Sequence, residues 1–368
     1  MGTTSDGCPL FLILAKEKMN SNLPLITYYD IDNIDALSYY LSGFQLNQMN
    51  QRCRFKIVRR PPRFFEDPKF HGDWRQLLFV LGIFKFQSNG KEYHFCIDRG
   101  DHSSNKMNEG YHLPLLEHVH FYFKTNFNAF AIAADREVNA YLQKIIPILP
   151  SFPIRVPRRL PLLPRSMQMK KIRARMKNFF KLPTLNDYRR WRLCERDLDV
   201  FFLLVYYNRS HHQDLNQFRA EIMRVLAKHR HLKFSMGFVS NKVLPENVTD
   251  LQRARLGMKE YLTQLARSKV AIYVRGPHDG ISSKFGQYMA MAKPIVGQTL
   301  ANNRERLYNF PNFNRQFGYD DPEQIAKRVI ELLERPDEMN QLARSNATTY
   351  DRYLHPENVV SEILEHLK

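Results

Sequence analysis

A chain of 368 residues, 43% hydrophobic and 12% aromatic, has the apolar content to fill sizeable cores, which excludes a disordered protein and suggests two domains. Its longest apolar runs, Cys8–Ala15 and Leu77–Phe84, are about eight residues, against the roughly 20 that a membrane-spanning helix needs, and the N-terminus lacks the pattern of a secretory signal, so a cytoplasmic protein is expected. The net charge of +18 is uneven, because Arg155–Arg192 holds thirteen Lys and Arg against one acid, Asp187, and so carries +12 of it; such a patch calls for an anionic neighbour.

The N-terminal part, residues 1–150, reads as a mixed α/β domain. Leu23–Ile31 and Arg52–Arg60 have strand character. The run from Leu77 to Asp101 reads as two strands joined at Asn89-Gly90, a type I′ hairpin signal. His118–Asn128 follows as an aromatic-rich strand and Asp135–Leu149 as a short helix. Cys8, Cys53, Cys96 and Cys194 are scattered without CxxC or metal-ligand spacing, so reduced thiols are expected and no metal site.

Residues 151–196 read as a linker. Leu149–Arg165 contains five prolines and suits neither regular helix nor central strand. Met167–Lys181 is helix-like, with Met169, Ile172, Met176 and Phe179/Phe180 on one face and basic residues on the other.

Residues 197–368 alternate strand and helix: strand Asp199–Tyr207, helix Asn216–Arg230, strand Leu232–Val239, helix Leu251–Ser268, strand Lys269–Gly276, helix Ser283–Ala292, strand Lys293–Leu300 and a short strand Phe313–Tyr319. Helix Asp321–Arg335 and two further helices close the chain. Strands rich in Val, Ile and Phe alternating with helices predict a parallel doubly wound sheet.

In such sheets ligands bind beyond the carboxyl ends of the strands. The loop Arg275–Ser283 sits there, and the helix that follows offers unpaired N–H groups and a partial positive charge. Ser282 and Ser283 add hydroxyls, Arg275 and Lys284 add cations, and Gly276 and Gly280 permit close backbone approach. Together they form a candidate diphosphate cradle; in the plainer reading Ser282 only caps the helix and the charges are solvated. There is no GxxxxGK[ST] and no GxGxxG, which disfavours a P-loop hydrolase or an ordinary dehydrogenase.

The run "YLTQLARSKVAIYVRGPHDGISSKFGQYMAMAKPIVGQTL", with "YDDPEQIAKRVIELLERPDEMNQLARSNATTYDRYL", resembles the C-terminal domain of the GT-B glycosyltransferases of the group 1, family-4-like kind. The resemblance covers about Asp199–Lys368, with an echo in "FCIDRGD" and "VHFYFKTNFN". It implies two Rossmann-like domains, a nucleotide-sugar donor held by residues 197–368, an acceptor held by residues 1–150, and no cofactor beyond the donor. Two carboxylates of the family fall on Asp279, near the donor sugar, and Gln287, at the ribose; neither is Glu here, and Gln287 lacks the charge. The resemblance also assigns Lys284 and Arg209 to the diphosphate, where cations stabilise the departing charge without a metal. His278 is either a donor contact or solvated. On the other side Asp98 and Asp101, with His102, follow a strand and are either a general base for the acceptor or turn-stabilising residues. The family-4 pattern would give retention at the anomeric carbon.

Three readings compete for Arg155–Arg192: an amphipathic helix on an anionic membrane surface or polyanionic glycan; a nucleic-acid contact, with Phe179, Phe180, Tyr188 and Trp191 as stacking residues; or an apolar face packed on the protein with solvated charges. The combined expectation is a transferase of surface-polysaccharide or glycolipid assembly, either free in the cytoplasm or peripheral at the inner face of the membrane. A DNA-base-modifying glycosyltransferase and a non-catalytic GT-B-like binding protein are the alternatives.

Overall fold

Strands β1 (Leu25–Tyr29) and β2 (Arg54–Val58) pair in parallel across helix α1 (Ile34–Met49), and β3 (Leu81–Ser88) and β4 (Lys91–Asp98) form the expected hairpin. Its turn has Asn89 at φ 49° and Gly90 at φ 76°, the double positive φ of type I′. The computed structural model describes residues 22–30, 34–58, 60–70, 80–101, 110–155, 173, 176–177, 180–240 and 242–368. With β5 (Phe121–Lys124) and β6 (Ile145–Pro147) the first sheet has the order β2-β1-β3-β4-β5-β6, in which β3 alone is antiparallel to its neighbours. The helix expected over Asp135–Leu149 is only a turn at Arg136–Asn139 and a 3-10 turn at Leu142–Lys144; Ile145–Pro147 is strand β6. Pro147 cannot sit inside a helix, and the β-branched pair before it suits a sheet edge.

Helix α1 has no clear amphipathic period because both its sides are covered. Phe44 packs with tilted rings against Phe84 and Phe95 of the sheet, while the opposite side meets the chain's last helix.

The linker reaches the second domain through helix α2 (Leu185–Arg192), which opens with a capping box between Thr184 and Asp187. Most of Met167–Lys181 and all of the stretch 156–172, as well as His102, lie outside the described residues. In the described part, Arg192 grips both carboxylate oxygens of Asp351 at 2.8 and 2.9 Å and donates to the Ala290 carbonyl at 2.7 Å. Tyr188 is buried, edge-on to Phe152, so it is not a surface on which a base stacks; that part of the nucleic-acid reading is corrected. No described helix is long and apolar enough to cross a membrane.

The second domain consists of β7 (Leu198–Val205), α3 (Gln213–Ala227), β8 (Phe234–Val239), β9 (Gln252–Arg253), α4 (Met258–Arg267), β10 (Ser268–Tyr273), α5 (Ser283–Ala290) and β11 (Ile295–Gly297). All five strands are parallel, in the order β11-β10-β7-β8-β9, which is the doubly wound sheet expected. Helix α4 starts later than the expected Leu251, because a 3-10 turn (Glu246–Leu251) and the short β9 precede it. The strand expected at Phe313–Tyr319 is a 3-10 turn followed by a single bridge from Phe317 to Gly297.

Helix α6 (Pro322–Leu333) is capped by Asp321, and α7 (Pro336–Thr349) leads through a π turn into α8 (Pro356–His366). Helix α8 returns to the first domain and packs on α1. A Cβ on Gly43 would lie 2.3 Å from the Pro356 carbonyl oxygen, so only glycine fits there. Asn47 donates to the Glu357 carbonyl at 2.9 Å and accepts from the Ser361 hydroxyl at 2.9 Å. The two cores are thereby joined into one packed unit.

Candidate active site at the carboxyl edge of the second sheet

The strand order reverses between β7 and β10: β8 and β9 extend one way from β7, and β11 extends the other way from β10. The crevice beyond the carboxyl ends of these two strands is the topological switch point, where doubly wound sheets take their ligands. The loops that flank it carry Arg209, after β7, and Arg275–Ser282, after β10.

Four buried or half-buried groups fix these loops. Arg219 of α3 reaches across the crevice floor, donating to the Arg275 carbonyl at 3.0 Å and lying 5.2 Å over the Tyr207 ring. Asn216 holds Tyr207 by a reciprocal pair of bonds, 2.7 and 3.2 Å. Gln298 accepts from the Arg275 amide at 3.2 Å. The Tyr273 hydroxyl accepts from the Ser282 amide at 2.8 Å.

Lys284, in the first turn of α5, donates its ammonium to the Leu203 carbonyl at 2.7 Å, at the end of β7. Burial and then the charge of Arg219 pull it down to about 7. Among the described residues no carboxylate pairs with it. An ammonium desolvated in this way gains most from an incoming anion. Ser282 is the N-cap residue of α5, as the plainer reading has it, but its side chain makes no capping bond to the helix. Ser283 opens the helix beside it.

Arg275 pairs with Asp279 at 2.9 Å and lies 3.9 Å from Asp320. His278 and Asp279 both have left-handed backbone, φ 56° and 58°, a conformation that costs non-glycine residues of order 1 kcal/mol each and clusters at functional sites. Gly280 touches the first domain: a Cβ there would stand 3.1 Å from Asp101 Cβ and 3.0 Å from the Pro277 carbonyl oxygen.

The first domain faces this loop with Asp101 and Asn126. The Asn126 side chain accepts from the Ile281 amide at 2.7 Å, and Asn302, after β11, donates to the Asp279 carbonyl at 3.1 Å. Asp101 is exposed to solvent, yet the chain crowded around its carboxyl raises it above its ordinary value, against the pull of Lys124, Arg99 and His278. Asp98 is placed differently. It is buried, ion-paired with Lys124 at 2.8 Å, and accepts from the Tyr122 hydroxyl and the Gly100 amide, both at 2.6 Å. Lys124 and Asn126 in turn hold the Gly100 carbonyl at 3.2 and 3.1 Å. With its oxygens so occupied, Asp98 is a positioning residue for the turn that presents Asp101; the expectation of a general base at Asp98 is corrected on that ground.

Gln287 is the second departure. It is 4% exposed and sits in the helix packing beside Tyr188 of α2, so it offers almost no surface to a ribose. The position that the sequence resemblance gives to the ribose is buried in packing here.

Two residues of this region, His211 and His212, were not singled out in the sequence. His211 and His212 form a 3-10 turn after β7, and with His278 they bring ring nitrogens within 4.8 Å of one another. Burial, then the neighbouring His211, His278, Arg209 and Arg219, hold His212 below the ordinary imidazole value. The adjacent pair in "RSHHQ" was the only local signal; the third member comes from a distant loop.

No family model matches the chain, and none of the curated proteins does. Among solved structures it is similar to S. aureus TarM in complex with fondaparinux, alpha-GlcNAc-glycerol and UDP, at 8% identity and TM-score 0.43 over 73% of this chain and 49% of that one. It thus spans about half of TarM. WaaG, a glycosyltransferase involved in lipopolysaccharide biosynthesis, aligns at 9% identity and TM-score 0.42 over 92% and 97% of the two chains. A mutant of T4 phage BGT in complex with UDP-glucose aligns at 10% and 0.34 over 94% and 93%. At these identities the reading of the site rests on the chain's own topology and residues. In architecture the chain has two Rossmann-like domains joined by a returning C-terminal helix, the GT-B form that its sequence resembles.

Proposed function

We propose that the protein is a glycosyltransferase that moves a sugar from a nucleotide-sugar donor to a glycan or lipid-linked acceptor. The observation that carries this reading is Lys284, a desolvated ammonium at the switch point with a backbone carbonyl and, among the described residues, no carboxylate for company. The donor diphosphate would lie over the first turn of α5, between the loops after β7 and β10, with Lys284, Arg209 and Arg275 around it and Asp279 and His278 toward the sugar. As the bond from the anomeric carbon to the diphosphate oxygen breaks, its electron pair leaves with the phosphate, and fixed cations stabilise that charge better than reorienting water. The acceptor hydroxyl oxygen forms the new bond and its proton passes to Asp101, whose raised carboxyl suits a base. A single displacement of this kind inverts the anomeric carbon; the retention of the family-4 pattern would require the acceptor to enter on the face that the diphosphate leaves.

An apolar cavity of about 230 Å³ between Phe127, Phe130, Pro147, Asn303 and Arg304 draws its walls from both domains and supports an acceptor with an apolar portion. Surface-polysaccharide or glycolipid assembly, at an anionic membrane met through Arg155–Arg192, is the setting that fits such an acceptor and a basic linker. A non-catalytic binding protein is the second reading, favoured by the burial of Gln287. Incubation with UDP-, GDP-, ADP- and CMP-sugars, followed by chromatography of released nucleotide, separates the two. Turnover of one donor that is lost in both Lys284→Met and Asp101→Asn supports the transferase; binding without turnover over a broad acceptor set supports the second reading.

A further inference from the structure

We propose that His211, His212 and His278 bind one divalent transition-metal ion of the zinc class at the mouth of the crevice. The three side chains come from the two loops that flank the switch point, so the fold itself assembles them. One ring nitrogen from each lies within 4.8 Å of the other two. Ring centroids are 4.0 Å apart for His211 and His212, 5.7 Å for His212 and His278, and 6.2 Å for His211 and His278. Tetrahedral zinc with bonds of about 2.0–2.1 Å to nitrogen requires ligand nitrogens about 3.4 Å apart. Small rotations of the exposed His211 and His278 rings close that difference, while His212, buried against Tyr207 at 5.3 Å, acts as the fixed ligand.

The donor set selects the ion. Three imidazoles suit zinc, cobalt, nickel or copper, whereas magnesium and calcium require oxygen ligands. Three protein ligands leave a fourth position open, as in catalytic and not structural zinc sites. Arg209 and Arg219 stand near His212, so the favoured fourth ligand is an anionic oxygen. On the donor reading given above, that oxygen belongs to the nucleotide diphosphate, and metal and nucleotide would then strengthen each other's binding reciprocally. The metal site itself does not depend on that reading.

The test uses the full chain, stripped with chelator, and Co²⁺ alone, followed by visible absorption and then displaced by Zn²⁺. The expected result is one equivalent bound with the intense bands of low-coordinate cobalt, weakened at least tenfold in His211→Gln and in His278→Gln, both at exposed positions where folding is preserved. Absence of those bands at millimolar Co²⁺, or undiminished binding in both variants, would overturn the proposal. Because no nucleotide is present, failure here leaves the donor reading standing. Conversely, failure of nucleotides to bind the chain once it is loaded with Zn²⁺ would count against the donor reading alone.

Discussion

The Lys284 ammonium donates to the carbonyl oxygen of Leu203 at 2.7 Å, tying the first turn of α5 to the end of β7. This bond holds a cation where a doubly wound sheet binds anions, and it is a poor substitute for one. Lys284→Met is therefore expected to be at least as stable as wild type while binding a nucleoside diphosphate about 10–100-fold more weakly, the effect of losing one charge-assisted hydrogen bond. Chemical denaturation beside calorimetry checks both halves.

The same lysine makes a pH prediction of definite sign. Its folded value is about 7, against roughly 10.4 in an unfolded chain. Between those values the unfolded chain holds a proton that the folded one has lost, so stability from this group rises with pH across that window, and below about 7 the cost of burying the charge is fully present. Melting curves from pH 7 to 10 should show a rise in wild type that Lys284→Met lacks. A bound diphosphate restores the charge, so nucleotide binding at pH 8 should take up a proton, measured as a buffer-dependent heat that the variant lacks.

Asp101 carries the acceptor side. Asp101→Asn should leave nucleotide affinity within about twofold and lower turnover by roughly two to four orders of magnitude, the range of a general base. In wild type the acid limb of the rate profile should fall above the ordinary carboxylate value, in the direction that desolvation by the surrounding chain moves Asp101.

Much of the second domain was legible because its strands are buried on both faces and its helices are amphipathic, each bounded by turn residues; the capping Asp321 marks α6 at its true start. Helix α1 was not legible. Tyr39, Tyr40 and Phe44 are all fully buried, since the sheet covers one side and α8 the other, and a two-sided helix has no moment to read. The site was half legible. Arg275–Lys284 advertised itself by charge and glycine after a strand, but nothing local told Asp98 from Asp101. That difference is made by Lys124 and Tyr122 on the neighbouring strand. The histidine trio depends on two loops that only the sheet order brings together.

Asp98 and Lys124 form a pair with almost no exposed surface, 2% and 0% for the side chains. Asp98→Ala leaves Lys124 buried without its counter-charge and should cost about 3–5 kcal/mol of stability. Adding Lys124→Met should recover a good part of it, and thermal melts of the single and double variants test this.

Gln287→Glu separates packing from ribose binding. With Gln287 beside Tyr188 in the helix packing, a carboxylate there should lower stability and leave nucleotide affinity unchanged. A gain in affinity would show that the side chain reaches the ribose after all.

The most direct test of the central claim is calorimetric titration of the wild type and of Lys284→Met with UDP, GDP, ADP, CMP and their common sugar conjugates. The account predicts that the wild type binds one nucleotide class, with proton uptake at pH 8, and that the variant binds it at least tenfold more weakly. Equal affinity in the two proteins, or no nucleotide binding by the wild type, would contradict the placement of a donor diphosphate at the switch point.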